Sequence, residues 1–170
     1  MSAITNPESL GRFIITTLTF EEIAGLDRKE LGAANDPYAV IGLTISKAVV
    51  QADANLNSSS RGVALKSTRF PPETNQSQIE LCFAKPQGGL GFFYRATGAA
   101  WLTIKVFDSH EIELEEALFS NREGYAGMIR ARAEIGIVSI AAKIKGPDAA
   151  QGFSFCIDDL SFGRELKGSY

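Results

Sequence analysis

The run Gly152-Phe153-Ser154-Phe155-Cys156-Ile157-Asp158-Asp159-Leu160-Ser161-Phe162-Gly163 decides how this chain is read. Phe153, Phe155 and Ile157 stand on odd positions, whereas Leu160 and Phe162 stand on even ones. Side chains of a strand alternate between its two faces, so one apolar face survives this change of parity only if an extra residue separates the halves. The stretch therefore predicts a closing β-strand with a bulge at Asp158-Asp159. Two adjacent carboxylates at such a kink need solvent, a proton or a cation, because like charges oppose burial.

Upstream of this strand the same alternation recurs. Trp101 to Asp108 places Leu102, Ile104 and Val106 inward and Trp101, Thr103, Lys105 and Phe107 outward. Gln78 to Ala84 puts Ile79, Leu81 and Phe83 on one face, and Lys85-Pro86-Gln87-Gly88-Gly89 reads as a turn. Beyond it Leu90, Phe92 and Tyr94 share one side, with Phe93 and Arg95 on the other. Asp108-Ser109-His110-Glu111 is a hairpin turn from which Ile112, Leu114 and Leu118-Phe119 return. Tyr125 to Ala131, with Tyr125, Gly127 and Ile129 on one face, and Ile135 to Ile144, apolar at Val138, Ile140, Ala142 and Ile144, read as two further strands.

Nearer the N-terminus, Phe13 to Phe20 is rich in β-branched residues and alternates best through Ile14, Leu18 and Phe20. A loop with one helical turn is expected over Ile23 to Leu31, then strands over Tyr38 to Ile45 and Ala48 to Gln51. Ala52 to Gly62 is a polar loop, and Val63 to Phe70 a strand that Pro71-Pro72 ends, since neither proline donates a ladder hydrogen bond. About nine or ten short strands with regularly spaced turns, and no helix long enough for a parallel α/β fold, predict an all-β protein. The expected architecture is a two-sheet antiparallel β-sandwich of jelly-roll type over residues 13–163, with an N-terminal extension (1–12) and a C-terminal tail (164–170).

Composition narrows the function classes. With 170 residues, 45% hydrophobic and 22% charged, the chain fits one globular domain with a real core. A formal net charge of -3 and the lack of any Lys/Arg block argue against nucleic acid as a partner. No apolar window is long enough for a spanning helix, and Met1 to Pro7 shows no basic region followed by an apolar one, so no signal peptide is visible. Cys82 and Cys156 are too few for a disulfide framework; both are expected as small buried hydrophobes, with a bridge open only if their strands are neighbours.

Catalytic residues do not emerge. His110 is the only histidine, and a Ser-His-Asp reading would crowd Asp108, Ser109 and His110 into one exposed turn instead of orienting a base against a nucleophile from separate elements. Glu115 and Glu116 face opposite ways on a strand and cannot flank one glycosidic bond. The Gly88-Gly89-Leu90-Gly91 cluster lacks the lysine and the strand-then-helix context of a phosphate loop. Ligand binding is better sought among outward aromatics: Trp101, Phe107, Phe93 and Tyr38 offer planar apolar faces on which the C–H face of a sugar ring can stack.

Several segments together resemble a family of bacterial secreted β-sandwich domains often found in proteins with a PEP-CTERM sorting tail, similar in style to galactose-binding-like and jelly-roll carbohydrate modules. The matching pieces are Leu18 to Glu21, Tyr38 to Ser46, Ile79 to Pro86 leading into Leu90-Gly91-Phe92, Val106 to Ser109, Gly124 to Gly127, and Gly152 to Phe162. The resemblance implies a secreted or cell-envelope, noncatalytic binding module for a polysaccharide or glycan. It also implies a structural calcium tying the first strand to the last through Glu21 and Asp158, with Glu22 and Asp159 as further ligands; calcium takes six to eight oxygens, many of them backbone carbonyls. The alternative from a different class is a structural or self-associating surface or matrix protein without a small ligand, which an exposed edge strand would favour.

Overall fold

A computed structural model describes residues 3–32, 34–54, 62–69, 76–96, 100–144 and 155–168. The described strands are Ala3–Ile4 (β1), Phe13–Leu18 (β2), Glu30–Leu31 (β3), Leu43–Ser46 (β4), Ala48–Ala54 (β5), Gly62–Arg69 (β6), Gln76–Gln87 (β7), Gly89–Ala96 (β8), Ala100–Phe107 (β9), Glu113–Phe119 (β10), Glu123–Ile129 (β11), Ile135–Ile144 (β12) and Phe155–Leu166 (β13). Short 3-10 helices occupy Pro7–Leu10, Glu21–Leu26 and Ala39–Ile41. Every ladder is antiparallel.

The closing strand is the organising element. On one side β13 pairs with β8; on the other it pairs first with β6, at Cys156 and Ile157, and then with β2, from Leu160 to Leu166. The first sheet thus runs β1-β11-β8-β13-β6-β5-β3, with β2 lying beyond the end of β6 along the same side of β13. The second runs β4-β7-β12-β9-β10. β6 turns the corner between them, since its last residues, Thr68 and Arg69, leave the first sheet and pair with β7. This is the expected two-sheet antiparallel sandwich of jelly-roll type.

The bulge lies where the parity change predicts it. Asp158 stands opposite Phe93 and Ser161 opposite Gly91, so three steps along β13 match two along β8. Asp159 takes the strain at φ +48, a left-handed conformation that aspartate tolerates better than most residues. The extra residue lets Phe155, Ile157, Leu160 and Phe162 all face the core, each at most 6% exposed. Facing them across the sandwich, β7 contributes Ile79, Leu81 and Phe83, and β9 contributes Leu102, Ile104 and Val106. The two sheets touch at Phe83 and Phe162, whose ring centroids lie 5.1 Å apart.

Three local expectations change. Only Leu43–Ser46 of the expected Tyr38-to-Ile45 strand is extended: Ala39–Ile41 is 3-10, and Gly42 ends it at φ +80, leaving Val40 93% exposed. β7 runs through Lys85 and Pro86 to Gln87, which narrows the expected five-residue turn to Gly88. The segment before Phe13 is tied to the sandwich: β1 pairs with β11, and Leu10 packs with Ile4, Phe13 and Tyr125 in a second apolar cluster on the outer face of the first sheet. The Ala52-to-Gly62 loop lies mostly, and Pro71-Pro72 entirely, outside the described residues.

Candidate functional site

Asp158 and Asp159 are not at a solvated strand end. β13 is central, so both are buried, at 2% and 4% exposure, and the Asp159 N–H donates to Asp158 Oδ1 at 2.7 Å. Over the same sheet lies Tyr125, whose hydroxyl is pushed well above the ordinary tyrosine range by burial and by the negative charge of Asp159. That hydroxyl has no hydrogen-bond partner among the described residues. Glycine at position 91 makes room for it, because a Cβ there would run into the Tyr125 ring and oxygen.

Glu21 and Glu22 open the 3-10 helix that follows β2, and β2 pairs with β13, so the first and last strands meet as expected. The carboxylates do not converge with them. Glu22 accepts a 2.6 Å hydrogen bond from the Tyr38 hydroxyl, on the core side of the sheet, whereas Asp158 stands on the face opposite Ile157. Among the described residues no three His, Cys, Asp or Glu side chains gather as a metal-holding group. The side chains present therefore do not by themselves form the cage of oxygens that calcium takes.

The four aromatics separate into two pairs. Tyr38 is buried, edge-on to Phe20 at 6.0 Å, and burial followed by the Glu22 bond raises its hydroxyl pKa. Phe93 faces outward from the first sheet but is covered, edge-on to Tyr125 at 5.0 Å within the second cluster. Trp101 and Phe107 both stand on the outward row of β9, in the second sheet; Trp101 is 37% exposed and Phe107 half-buried. Ladder register surrounds that row with polar groups: Lys105 is opposite Ser139 and Glu116, and Ser139 is opposite Glu80. Gln78 donates to Ser139 Oγ at 2.6 Å, Lys47 pairs with Glu80 at 3.2 Å, and Lys105 lies 3.9 Å from Glu116. Leu118, 50% exposed and opposite Thr103, extends the apolar surface beside Trp101 on the neighbouring strand β10.

A concave feature escaped the sequence reading. Between the sheets, beyond Phe83 and Phe162, the inner faces turn polar, and an open slot of about 530 Å³ is lined by Ile14, Thr16, Val40, Lys85, Gln87 and Arg164, among others. Its signal was present: the inward parity of Phe83 continues to Lys85 and Gln87, and that of Phe162 to Arg164. Reading Lys85 to Gly89 as a turn hid the first half of it.

The remaining reactive groups have structural partners. Asp108 Oδ1 accepts the backbone N–H groups of His110 and Ile112 at 2.8 and 3.0 Å, which fixes the hairpin and leaves no oriented base. Glu115 pairs with Arg130 at 3.2 Å, while Glu116 faces Lys105 on the other side of β10. Both cysteines are free, and they belong to different sheets. Cys82 is exposed on the outer face of the second sheet, not buried as expected, because β7 turns that side of its pleat to solvent. Cys156 is half-buried, its thiol 3.7 Å from Gln51 Oε1 and raised in pKa chiefly by burial.

The sequence matches no known family profile and no curated protein, so the resemblance drawn from its motifs rests on those motifs alone. Among solved structures, the chain is similar to a variant of a family 29 carbohydrate-binding module, with 14% identity, a TM-score of 0.48, and coverage of 89% of this chain and 92% of the other. It is also similar to TmCBM61 in complex with beta-1,4-galactotriose, with 19% identity, TM-score 0.42, and coverage of 74% and 83%. A third similarity is to the secreted serine protease VesC from Vibrio cholerae, with 15% identity and TM-score 0.47, covering 80% of this chain and 28% of the protease. No helix among the described residues is long and apolar enough to cross a membrane.

Proposed function

We propose that this chain is a noncatalytic carbohydrate-binding module that lays a polysaccharide or glycan across the outer face of its second sheet. The observation that carries the reading is the outward row of β9, with exposed Trp101 at one end, Phe107 at the other and half-buried Lys105 before it, Thr103 being buried with its hydroxyl donated to Ala141 O. At the rise of an extended strand the two aromatics stand roughly 20 Å apart, a span that suits an extended chain of sugars better than one small molecule. Trp101 and Leu118 supply an apolar platform for the C–H face of a ring, and Lys105, Ser139, Gln78 and Glu80 supply donors and acceptors for hydroxyl groups. A secreted or cell-envelope setting belongs to the same reading and rests on the motif resemblance.

The test is a broad glycan and polysaccharide panel run on the parent, Trp101→Ala and Arg164→Ala, with circular dichroism confirming each fold. Binding lost in Trp101→Ala and kept in Arg164→Ala supports the reading. Loss in Arg164→Ala alone would move the ligand into the slot. Silence of the parent across the panel would end the carbohydrate reading. Calcium enters through the resemblance only, and its test is thermal melting of metal-stripped protein. A Tm raised by calcium and insensitive to it in Asp158→Asn would admit the ion, and an unchanged Tm removes it.

A further inference from the structure

We propose that two copies of this chain associate edge to edge through β2, antiparallel and about a two-fold axis. Among the described strands, β2 pairs with β13 alone. Alternate residues of β2 therefore turn their backbone N–H and C=O groups away from the sheet. Its six residues, Phe13-Ile14-Ile15-Thr16-Thr17-Leu18, include no charge and no proline, and Ile14 and Ile15 are 57% and 44% exposed.

Natural sheets blunt such edges, and this protein blunts its others. β1 and β3 are two residues long, and β4 is four residues long and runs straight into Lys47. β5 is capped by a loop: Arg28 N donates to Val50 O, Val50 N to Lys29 O, and Ala52 N to Asp27 Oδ1, at 2.8, 3.1 and 2.8 Å. β10 carries Glu113, Glu115 and Glu116 and a register shift. β2 alone is long, β-branched, uncharged and uncovered by any described strand, the features of an edge that is paired in the assembled state.

The occupant that fits is a second copy. A two-fold axis perpendicular to the sheet pairs residues of equal parity, so every side chain keeps its own face, and the join is centred on Ile15 or Thr16. Either register brings the Arg12 end of one strand beside the Glu21 end of the other. Arg12 and Glu21 are both exposed, and neither has an ion-pair partner among the described residues, so opposite charges meet at both ends of an apolar centre. The inference is independent of the glycan reading.

Sedimentation equilibrium of the full chain from roughly 1 to 500 µM tests it, a window chosen because a join over five of the six β2 residues makes a small interface of micromolar strength. A monomer–dimer equilibrium is expected, and Ile15→Lys should raise its dissociation constant at least about tenfold, since two like charges would meet at the join. Should Ile15→Lys lose its fold, Arg12→Glu and Glu21→Arg decide: each alone weakens the dimer, and the double variant restores it. A monomer at every concentration, or a dimer indifferent to all these changes, overturns the proposal. Filaments in place of a dimer would overturn its closed two-fold form.

Discussion

Inserting one residue directly after Asp159 should cost far more stability than replacing Asp159. The bulge already takes up one extra residue, so a second shifts every later position by one and drives Leu160 and Phe162 from the core face to the outer face. Both are buried, Leu160 fully and Phe162 at 6% exposure. Turning out a large apolar side chain costs about 1.5–3 kcal/mol, so the pair amounts to about 3–6 kcal/mol. That is a large part of the 5–15 kcal/mol typical of a whole domain, and it should lower the urea midpoint by about 2 M at ordinary slopes. Asp159→Gly is the control, because glycine keeps the residue count and adopts φ +48 without strain. Urea unfolding of both variants, followed by far-ultraviolet circular dichroism, compares them directly. An insertion variant within about 1 kcal/mol of the parent, or a glycine variant as damaged as the insertion, would refute the bulge as the device that sets the parity of the closing strand.

Three further outcomes are expected. Tyr125→Phe removes a buried hydroxyl that has no partner among the described residues, so it should leave stability unchanged or raise it by about 1 kcal/mol, a Tm gain of roughly 2–4 °C; a clear loss would show that the hydroxyl donates to a neighbour such as Asp159. Burial raises the pKa of Tyr38, Tyr94 and Tyr125 in the folded state, so the tyrosines of the unfolded chain ionise first as pH climbs past about 10. Their contribution is complete below that pH and is lost above it, so Tm should fall on the alkaline side and fall less steeply in Tyr125→Phe. Asp108→Ala leaves two turn N–H groups without their acceptor and should cost about 1 kcal/mol by urea unfolding, whereas His110→Ala should stay within about 0.5 kcal/mol.

Side-chain parity was the most legible signal in the sequence. It gave the inward rows of β7, β8, β9, β12 and β13, and it located the bulge, because burying one face of a strand admits a single register. Local backbone at polar-to-apolar junctions was less legible. Tyr38 to Ile41 has the composition of a strand, yet the chain curls into a 3-10 turn held by Leu43 N donating to Tyr38 O and stopped by left-handed Gly42. β1 and β3, at two residues each, are too short to leave any periodic trace, which accounts for the undercount of strands.

Parity tells which way a side chain points, but not what lies over it, and the candidate site turned on that difference. Phe93 and Trp101 were judged outward by the same rule, and both do point outward. They differ because residues 3–12, read from sequence as an extension, bring Ile4 and Leu10 over the outer face of the first sheet, where they cover Tyr125 and Phe93. Asp158 lies on that same outward face and is buried, which separates it from exposed Glu22, bonded to Tyr38 at the core side. No such cluster covers the second sheet among its described residues, so Trp101, Leu118 and Cys82 remain at the surface there. Among the described residues, then, the exposed outward aromatic lies on the second sheet and not on the first. The first has spent its outward aromatics on holding the N-terminal segment, and what it leaves exposed is the edge of β2.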